Sequence, residues 1–251
     1  MMKKILVVSI LMMTSLSQAW AYQFTKDFSN GFYWANLPID ITVIDSDPVR
    51  KARIESIVNI AINEWESAVG QDIWQFYMSE GSTSSSGRNV VRWSNNFQAE
   101  TNMNSATTLA AAIRYTNGPY IARTEIVING SHSVNQNDYN LKTILTHEFG
   151  HTVGLDHSED PAALMAPNIQ YEYPGITSDD MNGMNAVLAT THKHQSTGYI
   201  SPLSQNTSVA ESKSPMSCAT VSQVGASGNM FSLLGGFLMS LVGFIRKRLF
   251  K

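Results

Sequence analysis

Eleven residues, His147-Glu148-Phe149-Gly150-His151-Thr152-Val153-Gly154-Leu155-Asp156-His157, combine the side chains of a metal site with a spacing that lets them meet. On a helix, His147 and His151 fall one turn apart on the same face, roughly 6 Å apart along the axis. Two imidazoles at that spacing can hold one Zn²⁺. Glu148, one residue round, is too constrained to be a third ligand but can reach a water at the metal. Zinc lowers the pKa of such a water towards about 7, and a carboxylate then takes its proton and passes it to a leaving amine. Gly154 lets the chain leave the helix through a left-handed backbone angle, which returns His157 as the third ligand. Three protein ligands leave a fourth position open, the mark of a catalytic zinc rather than a closed structural one. A lone His151 would read as an ordinary core or surface histidine; Gly154 and His157 together make coincidence a poor explanation.

These residues need a scaffold. The stretch from Tyr22 to about Leu37 reads as aromatic and irregular, and residues 40–45 then alternate with β-branched side chains and predict a first strand. Asp47-Pro48 then reads as an N-cap with proline at the first helical position. Ile54, Ile57, Val58, Ala61, Ile62, Trp65, Ala68 and Val69 recur at three and four, and Gly70 closes a helix of about twenty residues. Strands are expected at 73–78 and 89–93, around a Gly/Ser/Thr turn at 81–87. Another pair, 108–115 and 121–129, is joined through Asn117-Gly118-Pro119. The motif helix should start near Asp138 or Asn140 and bury Leu141, Ile144, Leu145 and Phe149. Thr177-Ser178-Asp179-Asp180 caps a last helix.

The extended histidine pattern resembles that of the metzincin metalloproteases. Ser158 to Pro167, with Met165 eight residues past His157 and Pro167 two beyond that, is similar to the corresponding stretch of the matrixins. The resemblance spans residues 37–191 and is most specific over 147–167. It implies an α+β catalytic domain: a twisted, mostly parallel five-stranded sheet with an antiparallel edge strand, and three helices. It makes Met165 the Met-turn residue under the zinc, and Asp180 the side chain that braces that turn. Asp179 would receive a freed N-terminal ammonium. It makes residues 108–115 the exposed edge to which a peptide substrate adds as an antiparallel strand, with Leu109 and Ala110 as contacts. Residues 168–175 would wall the specificity pocket, although Pro167-Asn168-Ile169 departs from the Pro-x-Tyr usual there. The second zinc of animal matrixins needs more His and Asp in one loop than this chain supplies, so one zinc is expected.

The ends carry their own signals. Met1-Met2-Lys3-Lys4, an apolar core from Ile5 and Ala19-Trp20-Ala21 predict a signal segment over 1–21, with the mature chain starting at Tyr22. Residues 230–245 form a second apolar run before Arg246-Lys247-Arg248, which reads as a membrane anchor with the body outside the cytoplasm, and which, with Gly225-Ala226-Ser227-Gly228 upstream, also resembles the tripartite sorting tails of bacterial exported proteins. Residues 192–229, rich in Ser, Thr and Gln, read as a flexible tether. Between Tyr22 and Asn229, 11 of the 17 Lys and Arg face all 20 Asp and Glu, a balance of −9. That acidity argues against a nucleic-acid partner and is compatible with bound Ca²⁺. A single cysteine, Cys218, excludes an intrachain disulfide, and no cysteine precedes the motif to mask the zinc as in animal matrixins. Asp27, ahead of the first strand, is considered as a carboxylate plug over the metal.

The whole reads as an exported, monomeric zinc endopeptidase acting on protein or peptide substrates, retained through its tail. The competing reading is a surface binding module with vestigial catalysis; a processing protease of narrow specificity is the variant within the enzyme class.

Overall fold

The computed structural model describes residues 21–78, 87–168, 175–204 and 212–215. The described residues all belong to one unit. The apolar run at 230–245, Cys218, and the signal segment up to residue 20 therefore lie outside the described residues. Among those described, no helix is long and apolar enough to cross a membrane.

The chain begins with helix α1 (Lys26–Ser29) and strand β1 (Tyr33–Trp34), followed by β2 (Ile39–Ile44) and α2 (Pro48–Val69). Strands β3 (Trp74–Tyr77) and β4 (Val90–Ser94) precede the short α3 (Phe97–Thr101). Strands β5 (Ala110–Asn117) and β6 (Tyr120–Asn129) then lead through a 3₁₀ turn (Ser133–Gln136) into α4 (Asp138–Val153). Helix α5 (Ser178–Thr197) and strand β7 (Ser212–Pro215) complete the order. The sheet runs β3-β2-β4-β6-β5-β7. Its first four strands are parallel, β5 is antiparallel to β6, and β1 pairs parallel with β6 at Tyr120 and Ile121. The α+β architecture, a mostly parallel sheet with three long helices, is the expected one, with seven strands in place of five because the short β1 and β7 add to the sheet.

Local chemistry sets the long helices. Asp47 caps α2 by accepting from the Val49 and Arg50 N–H groups, Pro48 opens it, and Gly70 closes it at φ 70°. The Thr177 hydroxyl and the Asp180 carboxylate form a reciprocal capping box on α5. The buried stripe of α2 faces the sheet and α4, so one apolar core joins α2, the inner sheet face and the outer flank of α4.

Indole N–H groups fix α4 over that core. Trp65 donates to the Thr146 carbonyl at 2.7 Å, Trp34 to the Thr152 carbonyl at 2.9 Å, and Trp74 to the Thr152 hydroxyl at 3.0 Å. Each such bond contributes about 1 kcal/mol, and leaving the buried partner unpaired would cost more. Helix α4 is thereby held in rotation, which decides where its histidines point.

Three expectations are corrected. The strand at 108–115 is an open edge only in part: β7 pairs with β5 from Ile113 to Thr116. The tether does not begin at 192. Helix α5 runs to Thr197, His194 stacks on Tyr199, the Tyr33 hydroxyl donates to the Tyr199 carbonyl, and Ser201 donates to the Asn30 carbonyl. The body is thus packed through Ser204, because polar residues with two aromatic partners suffice to extend a helix that sequence composition alone reads as linker. The stretch before β2, which looked irregular, is ordered into α1 and β1.

Candidate metal centre

Helix α4 delivers His147, Glu148 and His151, all fully buried. The His147 Nδ1–H donates to the Leu164 carbonyl and the His151 Nδ1–H to the Leu155 carbonyl, both at 2.7 Å. Carbonyls only accept, so each ring must carry its proton on Nδ1 and turn a bare Nε2 inward. These two Nε2 atoms stand 3.0 Å apart. Lone pairs that close repel unless a cation sits between them.

His157 completes the set. Its Nε2 is buried without a hydrogen-bond partner. One ligand atom from each of His147, His151 and His157 lies within 4.8 Å of the others. Three convergent neutral nitrogens, one of them an orphaned buried atom, fit a borderline-soft divalent ion such as Zn²⁺. Burial pushes the His147 imidazole down to about 3, aided by His157, and the His151 imidazole well below its ordinary 6.5. His157 also moves down through burial, against the pull of Asp156. All three are therefore neutral at physiological pH, the form a metal requires.

The third ligand is placed by a turn and a strap. Gly154 has φ 122°, and a Cβ there would meet the Phe28 ring at 2.6 Å, so both backbone and space demand glycine. The chain from Gly154 to Glu159 then ladders onto residues 21–25. Thr25 N–H donates to the Gly154 carbonyl at 2.9 Å, Asp156 N–H to the Gln23 carbonyl at 2.8 Å and Glu159 N–H to the Ala21 carbonyl at 3.0 Å. This strap went unrecognised in the sequence because its residues alternate neither like a strand nor like a helix.

Asp27 does not cover the metal. Its carboxylate takes two hydrogen bonds from the Arg114 guanidinium, at 2.7 and 2.6 Å, and that guanidinium also donates to the His151 carbonyl. Burial alone raises the Asp27 pKa, but the Arg114 charge and the hydrogen bonds outweigh it and hold the group below its usual value. A bidentate partner behind the site is a stronger attraction than an open cleft, so the plug is overturned.

Met165 is buried against the motif helix: a Cβ on Gly150 would lie 2.5 Å from its Sδ. Asp180 accepts from the Leu164 and Met165 N–H groups at 2.9 Å each, and from both the N–H and hydroxyl of Thr177. It braces the Met turn while capping α5. Asp179 accepts from the Ala21 and Tyr22 N–H groups at 2.9 and 3.1 Å, at the predicted mature start of the chain.

Leu109 and Ala110 are both fully buried, packed on Ile144. The Leu109 carbonyl is already taken by the Asn129 N–H and the Asn135 amide. By strand alternation the backbone groups of Ala110 and Ala112 then face away from β6. Beside the triad, a cavity of about 570 Å³ opens on His157 between Gln23, Pro161 and Pro167. Its expected far wall at 169–174 lies outside the described residues.

A three-histidine centre built from a helix and the turn that follows it, beside a mostly parallel sheet, defines a zinc-hydrolase class of site. Residues 33–189 match the matrixin family model, and the chain belongs to that family, whose members are zinc-dependent metalloproteases. It is similar to human matrix metalloproteinase-20, 46% identical over 54 residues, or 20% of this chain and 11% of that protein. Human neutrophil collagenase is 39% identical over 69 residues, 26% of this chain and 15% of the relative. Horse interstitial collagenase is 46% identical over 56 residues, 21% and 12% respectively. The chain thus covers about an eighth of the length of these curated relatives.

Proposed function

We propose that the protein is an exported zinc endopeptidase that hydrolyses peptide bonds within polypeptides, with Glu148 as general base and then general acid. The convergence of the His147, His151 and His157 Nε2 atoms next to a buried carboxylate carries this reading. Bound zinc would supply the Lewis acid that acidifies water and polarises a carbonyl. Glu148 takes the water's proton and returns it to the leaving amine. His147, His151 and His157 would hold the ion, and the carbonyls of Leu164 and Leu155 keep two of those rings oriented with Nε2 free. The outward backbone groups of Ala110 and Ala112 offer a peptide main-chain hydrogen bonds, which are indifferent to sequence. Export through the segment at 1–21, retention through 230–251, and action as a monomer belong to the same proposal.

Its test is Glu148→Ala in the zinc-loaded protein. Stoichiometric zinc should remain while casein hydrolysis falls by roughly 10²–10⁴, the range of a lost general base. An alanine variant cutting casein at the wild-type rate overturns the assignment. Cell fractionation with and without residues 2–21 tests export.

A further inference from the structure

We propose that Ser212–Pro215 is an intramolecular occupant of the peptide-docking edge, so that the protein restrains itself by pairing its own downstream chain with β5. The inference rests on the reading that a peptide adds to β5.

Strand β7 pairs antiparallel with β5 in a defined register: Thr116 with Ser212, Tyr115 with Lys213, Arg114 with Ser214 and Ile113 with Pro215. That is the orientation in which a substrate strand is proposed to add. The stretch of β5 it covers lies at the site. Ala110 packs on Ile144 of α4 and Arg114 reaches the His151 carbonyl, so the strand between them runs beside the turn that carries His147 and His151. A peptide paired with Ala110 to Arg114 must displace Pro215 and Ser214. Ile113 and Arg114 cannot serve both.

The backbone pattern suits a plug that pairs on one side only. Leu109 and Ile113 turn their carbonyls inward, to Asn129 and to the Thr124 hydroxyl. Arg114 therefore faces out and exchanges hydrogen bonds with Ser214. Pro215, next in the strand, would have pointed its N–H away from β5, so its missing donor weakens nothing there. It does block a further strand from adding to β7. A four-residue strand contributes few hydrogen bonds and must order a chain segment, so the pairing is reversible and a longer peptide can win.

The test uses the full chain with Ser214→Pro, which deletes the N–H aimed at β5, and Lys213→Pro, which deletes one aimed away. Amide exchange at Arg114 reads the pairing without any need for activity. Steady-state cleavage of an octapeptide reads competition. Ser214→Pro should speed Arg114 exchange and lower the octapeptide KM, each roughly tenfold, the scale of one or two ladder hydrogen bonds, with kcat little changed. Lys213→Pro should leave both within about twofold of wild type. Unchanged Arg114 exchange in Ser214→Pro overturns the proposal, as does faster exchange with an unchanged KM, or an equal effect of both prolines. If no form cleaves any peptide, the hydrolytic reading fails separately. Octapeptide binding by fluorescence anisotropy then decides: tighter binding to Ser214→Pro supports the plug and equal binding overturns it.

Discussion

The Arg114 guanidinium, on β5, donates to the backbone carbonyl of His151, a metal-binding residue on α4, while the Asp27 carboxylate neutralises it from the N-terminal segment. Sheet, site helix and strap therefore meet at one buried charge pair.

Removing half of that pair strands the other half. Asp27→Ala leaves a guanidinium in the core without its counter-ion and should cost about 3–5 kcal/mol in urea unfolding. Asp27→Leu combined with Arg114→Leu should recover much of that loss, because no unpaired charge remains. A single variant that costs under about 1 kcal/mol would show that the pair contributes little, as exposed pairs do.

Gly154 is a second sensitive point. Alanine there meets the Phe28 ring and an unfavourable φ together, so Gly154→Ala should lose about 1–3 kcal/mol of stability. Zinc affinity should fall with it, since the turn aims His157. Chelator competition reads the affinity; a variant with wild-type zinc affinity would mean that His157 is positioned by the strap alone.

Asp180 serves four donors at once, and an asparagine cannot accept them all. Asp180→Asn should lose about 2–3 kcal/mol by urea unfolding, the scale of charged hydrogen bonds in a buried place. The Ser178→Ala variant, whose hydroxyl plays no part in the box, serves as a control and should behave as wild type. Similar losses in both would remove the bracing role.

The histidines predict acid lability. Unfolded, each titrates near 6.5; folded, burial has moved His147 to about 3, with His151 and His157 also lowered. On acidification the unfolded chain binds protons first, so stability that is complete above about pH 6.5 drains away as pH falls towards the folded values. Zinc sharpens the loss because its ligands must be unprotonated. Urea midpoints that stay flat from about pH 7 to pH 4.5 in the chelated protein would contradict this.

How much of this could be read from the chain alone follows from the range of the forces involved. Local signals were legible: the cap at Asp47, the stop at Gly70, the capping box at Thr177 and Asp180, and the histidine spacing itself. The family match over 33–189 agrees with the resemblance drawn from residues 147–167. What escaped depends on distant partners. Arg114 and Asp27 are 87 positions apart, and nothing near either shows that they meet. The ladder between residues 21–25 and 154–159 joins two stretches without periodicity. Strand β7 is four residues of Ser, Lys and Pro, a composition that local propensity assigns to coil and only an existing edge can recruit.

The indole bonds of Trp34, Trp65 and Trp74 have a spectroscopic consequence. Three of the chain's five tryptophans end on the carbonyls or hydroxyl of the helix that bears the ligands. Near-ultraviolet dichroism and emission maxima should thus respond to ion loading and release in unlabelled protein, giving a native optical gauge of the centre.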